Sequence, residues 1–161
     1  MTSLDDINYL LNKSYFFLKF RPRTEKEIRQ YLYKKIANKH WSTEDAEKVI
    51  NILKEQGLID DKKFLELYVN DRLNLKPKSK KLIIKELKQK GVSDNLIEKY
   101  FSQNEINEEE VAFKLLKKRW SRYKNLPEKK RLEKVLRFLL SKGFSFEIAK
   151  KIYQKIITIN L

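Results

Sequence analysis

The sequence predicts an all-α chain of about nine helices, grouped as three tandem three-helix repeats. Three observations carry that prediction. Apolar residues recur at three and four rather than two, so no segment has the alternation of a strand. Only three glycines and three prolines occur in 161 residues, too few for the many turns of an all-β protein. Punctuation also recurs in register: Pro22, Pro77 and Pro127 each precede a basic segment. Each segment then leads to a serine, Ser42, Ser93 or Ser145, at spacings of 51 and 52 residues.

The first repeat covers about residues 1–57, with helices expected over about 4–19, 23–37 and 43–56. The first of these opens at the acidic pair Asp5-Asp6 and the second at or just after Pro22, a residue tolerated in a first helical turn. Ser42 N-caps the third, its side chain accepting an otherwise unpaired N–H. "ANKHW" replaces the glycine turn found in the other repeats, with Asn38 as the left-handed residue. The second repeat, about 58–104, has helices expected over about 61–74, 78–90 and 94–103. These open at Asp60-Asp61, at or just after Pro77, and at Ser93. The third repeat, about 105–161, has helices expected over about 108–123, 128–142 and 146–157, opening at Asn107-Glu108, Pro127 and Ser145. Gly57, Gly91 and Gly143 sit where a helix must stop in a left-handed conformation. Ile28 and Leu32, Ile83 and Leu87, and Val135 and Leu139 form the inward faces of the middle helices. Repeats of this kind stack on their neighbours, which predicts an elongated array able to curve.

Cysteine is absent, which excludes a disulfide scaffold, a thiol nucleophile and a cysteine-based zinc site. No segment approaches the roughly 20 apolar residues of a membrane span, and the acidic N-terminus is unlike a signal peptide. A soluble, cytoplasmic, monomeric chain is expected. A net charge of +15 points to a polyanionic partner: nucleic acid, an acidic protein face or a membrane surface.

Chemistry-bearing constellations are sparse. Asp60 and Asp61 form a carboxylate pair, but the position is echoed at Asp5-Asp6 and Asn107-Glu108. Helix capping explains three occurrences at helix starts, where a catalytic pair would occur once. His40 is the only histidine and has no ligand set around it. No phosphate-cradling glycine loop and no nucleophile-elbow serine occur. Tyr15, Phe16, Phe17, Phe64, Tyr68, Phe113 and Trp120 are read as core, with Trp120 and Tyr123 set inside "KKRWSRYK". No catalytic residue, metal, cofactor or small-molecule substrate is expected.

The charge is uneven: the three repeats carry +3, +4 and +8. From Lys76 to Lys90 there are seven lysines and one acid, Glu86. Lys78, Lys81, Lys85 and Lys88 follow 3-4-3 spacing and form one stripe, offset from Ile83 and Leu87. The first repeat offers Arg21, Arg23, Lys26 and Arg29. The third offers Lys117, Lys118 and Arg119, then Lys130, Lys134 and Arg137. Such a face is either a solvated surface or a track for acid and phosphate groups; lysines so arranged meet backbone charge, not base sequence.

Four stretches, "RPRTEKEIRQYL", "INILKEQGLIDDKKFLELYVNDRL", "KPKSKKLIIKELKQKGVSDNLIE" and "VLRFLLSKGFSFEIAKKI", resemble in order and spacing the RecX family of bacterial recombinase regulators. The resemblance runs over about residues 8–156. It implies three tandem three-helix units and a non-enzymatic protein that binds RecA–DNA filaments. Such binding blocks filament extension or promotes disassembly. It thereby lowers RecA ATPase, strand exchange and co-protease activity in DNA repair, homologous recombination and the SOS response. The matching signature positions are Gly57, Asp60, Asp61, Tyr68, Arg72, Pro77, Gly91, Gly143 and Ser145, chiefly structural in the family. The partners implied are the RecA filament and single- or double-stranded DNA through its phosphates. The alternative is a stand-alone, sequence-independent DNA-binding helical protein.

Overall fold

The computed structural model describes residues 3–159, and among them lie nine α-helices and no strand. They are α1 (Leu4–Lys19), α2 (Glu25–Ile36), α3 (Thr43–Glu55), α4 (Asp61–Asn74), α5 (Lys80–Gln89), α6 (Asp94–Gln103), α7 (Glu108–Arg119), α8 (Glu128–Ser141) and α9 (Phe146–Thr158). Capping side chains set nearly every start. Ser3, Thr24 and Ser42 form capping boxes with Asp6, Glu27 and Asp45. Asp60, Ser79, Ser93, Asn107 and Ser145 each accept the N–H three residues on, at 3.1–3.2 Å. Only α8 lacks a side-chain cap bond: Pro127 stands at that position.

Three expectations need correction. The helices α2 and α5 begin two residues later than expected after Pro22 and Pro77, because Thr24 and Ser79 intervene as caps. A Thr or Ser hydroxyl in extended backbone satisfies a free N–H, which proline cannot. Nor do the acidic pairs share one position. Asp60 and Asn107 are caps, but Ser3 caps α1, so Asp5 and Asp6 fall inside its first turn. Finally, α7 stops at Arg119 and tightens into a 3-10 turn over Trp120–Arg122. The turn carries Trp120 inward, leaving it 6% exposed among Leu116, Val135 and Leu139.

By contact density the chain forms two compact units that cut across the repeat boundaries. One comprises Met1–Glu66 with Leu87–Ile97, the other Leu67–Glu86 with Glu98–Leu161. In the first unit Leu10, Ile28, Leu32, Ala46, Val49, Ile50 and Leu53 are fully buried together. In the second, Ala112, Leu116, Val135, Leu139, Ala149 and Ile156 do the same. Each core is an i, i+3/i+4 set from three helices, so truncating one of its leucines or isoleucines to alanine costs about 2–5 kcal/mol. Asn38 takes φ 60° in the glycine-free turn, and the three glycines have φ of 71–88°.

Candidate functional site

Two joints fix the helix starts that carry the basic residues. In the first compact unit the Thr24 hydroxyl is fully buried. It accepts the Glu27 N–H at 3.2 Å and donates to the Lys90 carbonyl at 2.6 Å. Beside it, the Asp61 carboxylate accepts the Glu25 N–H at 2.9 Å, so an acid on α4 caps α2. The second unit repeats the device. The Ser79 N–H donates to the Lys142 carbonyl at 3.0 Å. The Glu108 carboxylate of α7 accepts the Lys80 N–H at the start of α5. Glycine follows each receiving carbonyl. A Cβ on Gly91 would overlap Lys26, and one on Gly143 would overlap Ser79 and crowd Leu82.

The joints give the acidic pair its roles: Asp60 caps its own helix and Asp61 caps another. Burial pushes the Asp61 carboxyl above its ordinary range, although the Glu25 N–H opposes the shift. Burial also raises Glu108, against the pull of Lys80. Each of these two carboxylates thus holds a first-turn N–H of another helix. Among the described residues no group of three or more His, Asp or Glu side chains is placed to hold a metal ion.

The basic residues divide into committed and free ones. Lys78 leaves the expected stripe: its ammonium meets Glu86, which also accepts the Tyr68 hydroxyl at 2.6 Å and lies 3.4 Å from the Arg72 Nε. Burial would raise Glu86, but the bonds from Lys78 and Tyr68 hold its carboxyl below the usual range. Burial, with Glu86 as acceptor, pushes the Tyr68 hydroxyl up to about 12. Tyr68 and Arg72 are thus held inside this network. At the end of α5, Lys88 pairs with Asp94 at 3.3 Å. Only Lys81 and Lys85, one turn apart and exposed, remain of the stripe without an ion pair among the described residues.

The first repeat is committed more fully. Arg21 pairs with Glu27 at 2.6 Å, and the Arg23 guanidinium lies 3.9 Å over the Phe17 ring. Lys26 packs along Gly91 and donates to the Gln89 carbonyl at 3.4 Å. Arg29 is bridged by Glu47 and Glu25, which raise its pKa further, Glu47 foremost. In the third repeat Arg119 lies 4.7 Å over Phe138, and Arg137 pairs with Glu133 at 2.8 Å. Lys117, Lys118, Lys130 and Lys134 are exposed without an ion pair among the described residues.

Lys117 and Lys118 line a recess of about 420 Å³ with Lys114, Leu73, Asn74 and Pro77. Of its three lysines, Lys114 pairs with Glu110 at 3.1 Å, while Lys117 and Lys118 have no ion pair among the described residues. Lys114 was missed from sequence, because its i, i+4 pairing with Glu110 disguises a triad spaced 3 and 1 along α7. Phe16 was misassigned to the core: it is 61% exposed, and Phe20 beside it 67%.

Fold and site define a class: a tandem three-helix-repeat protein whose described residues include exposed lysines without an ion pair. Three family models match the chain, the first, second and third three-helix domains of RecX, at residues 11–53, 60–100 and 107–153. The chain belongs to the RecX family.

Among its relatives, the regulatory protein RecX of Finegoldia magna is 36% identical over 84% of this chain and 66% of its own length. That of Clostridium perfringens is 34% identical, over 83% and 62%. That of Streptococcus gordonii is 33% identical, over 91% and 55%. The chain therefore spans between about half and two thirds of the length of these relatives. The crystal structure of RecX from Lactobacillus salivarius superposes with a TM-score of 0.72 at 29% identity, covering 97% of this chain and 99% of that one. A second crystal structure, of a regulatory protein RecX, gives 0.69 at 30% identity, covering 92% and 71%. No helix among the described residues is long and apolar enough to cross a membrane.

Proposed function

We propose that this chain is a regulator of RecA that binds the RecA–DNA filament and lowers its recombinase, ATPase and co-protease activities. It does so as a cytoplasmic monomer, without a cofactor, in DNA repair and the SOS response. The observation that carries the proposal is RecX membership along the whole three-repeat core, combined with lysines that no acid neutralises. Lys81 and Lys85 on α5, and Lys117 and Lys118 beside the recess, are the contacts proposed for phosphates or acidic RecA surface. A lysine is a compact point charge without the planar fork that reads a base edge, so these contacts follow backbone charge.

Co-sedimentation with preformed RecA filaments across a salt series tests the reading. Binding that persists at salt concentrations where the protein has released free DNA supports a filament regulator. Binding that falls in step with free-DNA affinity supports the alternative, a stand-alone DNA-binding protein competing for the strand.

A further inference from the structure

On α1, Tyr9, Lys13, Phe16 and Phe20 follow 4-3-4 spacing and so share one side of the helix. Two of these aromatics are uncovered. Phe16 is 61% exposed and Phe20 67%, and their rings meet edge to face with centroids 5.2 Å apart. The core does not need them: α1 buries Leu10, Leu11 and Ser14 instead. Other aromatics of this repeat are already occupied. Phe17 stacks on Tyr31 at 4.2 Å and carries Arg23 on its ring. Tyr9 stacks on Trp41 at 5.2 Å, with the Lys13 ammonium 5.3 Å from its ring.

Charge selects what the two free rings would take. From Ile7 to Thr24 there is no acidic residue, while Lys13, Lys19, Arg21 and Arg23 contribute four cations. Glu27 neutralises Arg21 and Arg23 lies on Phe17, which leaves Lys13, at the edge of Tyr9 but without an acid partner among the described residues, and the exposed Lys19, each three residues from Phe16. Unpartnered aromatic faces among unneutralised cations suit a partner with both π-faces and a phosphate backbone. A duplex hides its base faces within the stack; a single strand does not.

We infer that Phe16 and Phe20 form a stacking platform for bases of single-stranded nucleic acid, with Lys13 and Lys19 meeting the adjoining phosphates. The inference rests on the proposed nucleic-acid contact and adds to it a second mode, through base faces and on a different helix from the free lysines.

Fluorescence anisotropy with labelled dT20, rU20 and a 20-base-pair DNA duplex tests it. Phe16→Ala/Phe20→Ala should weaken single-strand binding by about tenfold or more. Duplex affinity should stay within about twofold, and the slope of log affinity against log salt should not change, since no phosphate contact is lost. The two single strands show whether DNA, RNA or both use the platform. Tyrosine at both positions should restore binding, because it keeps the π-face, and leucine should not.

Undiminished binding by the alanine or leucine pair overturns the platform, as does an equal loss on duplex. Capture by anionic phosphatidylglycerol vesicles that the alanine pair loses, with dT20 affinity unchanged, assigns the rings to a membrane and overturns it too. Failure of the platform and failure of the filament reading are separable. If the alanine pair binds dT20 normally while lysine variants lose RecA inhibition, only the platform falls. If the wild type leaves RecA unaffected yet binds dT20 through the two rings, only the filament reading falls.

Discussion

Thr24→Val isolates the joint of the first compact unit. Valine matches threonine in shape, so packing of the fully buried side chain changes little. Two bonds disappear: the cap to the Glu27 N–H at 3.2 Å and the donor to the Lys90 carbonyl at 2.6 Å. Losing a Thr cap costs about 1 kcal/mol. Removing the donor to the partly buried Lys90 carbonyl adds about 1–3 kcal/mol. The total, about 2–4 kcal/mol, corresponds to a fall of roughly 5–15 °C in thermal midpoint for a chain of this size.

Ser79→Ala is the internal control. The Ser79 hydroxyl caps Leu82 at 3.2 Å, but it is the Ser79 backbone N–H that reaches the Lys142 carbonyl, and alanine keeps it. That variant should lose only about 1 kcal/mol. Urea unfolding followed by circular dichroism measures both. The joint as described is refuted if Thr24→Val costs no more than Ser79→Ala.

Asp61 has a folded-state pKa raised by burial. Its contribution to stability is therefore greatest below the unfolded pKa and is lost as pH rises through the folded one. Asp61→Asn keeps an acceptor for the Glu25 N–H without the buried charge. It should match or exceed wild-type stability at pH 7 and reduce the gain on acidification toward pH 4, whereas Asp61→Ala should lose about 1 kcal/mol; urea midpoints across that range decide.

Gly143→Ala meets both a φ of +87° and the Ser79 side chain, while Gly57→Ala meets a φ of +71° and open space. The first should cost clearly more than the 1–2 kcal/mol or so of the left-handed conformation, and the second no more than that, by the same unfolding assay. Lys81→Glu/Lys85→Glu should leave the thermal midpoint unchanged, weaken filament binding and, where phosphates are the contacts, lower the salt slope by about 2. Unaltered inhibition by the folded double variant removes this helix face from the interface.

The elements that could be read from the sequence were those whose cause is local. Caps, glycine stops and i, i+4 apolar pairs act within a few residues, which is why every described helix except α2 and α5 begins at its expected residue. What escaped was non-local or competitive. The bond from Thr24 to Lys90 joins residues 66 apart, and no pattern around either one announces it. Its trace was nonetheless present: a hydroxyl residue two places after Pro22 and Pro77, and an acid recurring at Asp61 and Glu108.

The lysine stripe was periodic, but periodicity does not say which lysine an acid will claim. Glu86 pairs with Lys78 while also accepting the Tyr68 hydroxyl and lying beside the Arg72 guanidinium. Phe16 was assigned inward by residue type, yet the buried side of α1 was filled by Leu10, Leu11 and Ser14. Among the basic residues, sequence located the charge and the structure separated the neutralised cations from the free ones.

Hydrolysis of ATP by RecA on single-stranded DNA, titrated with this protein after filaments have formed, tests the central claim most directly. The rate should fall at protein-to-RecA ratios well below one, with Lys81→Glu/Lys85→Glu or Lys117→Glu/Lys118→Glu shifting the curve to higher protein. A rate that stays constant up to equimolar protein would contradict it.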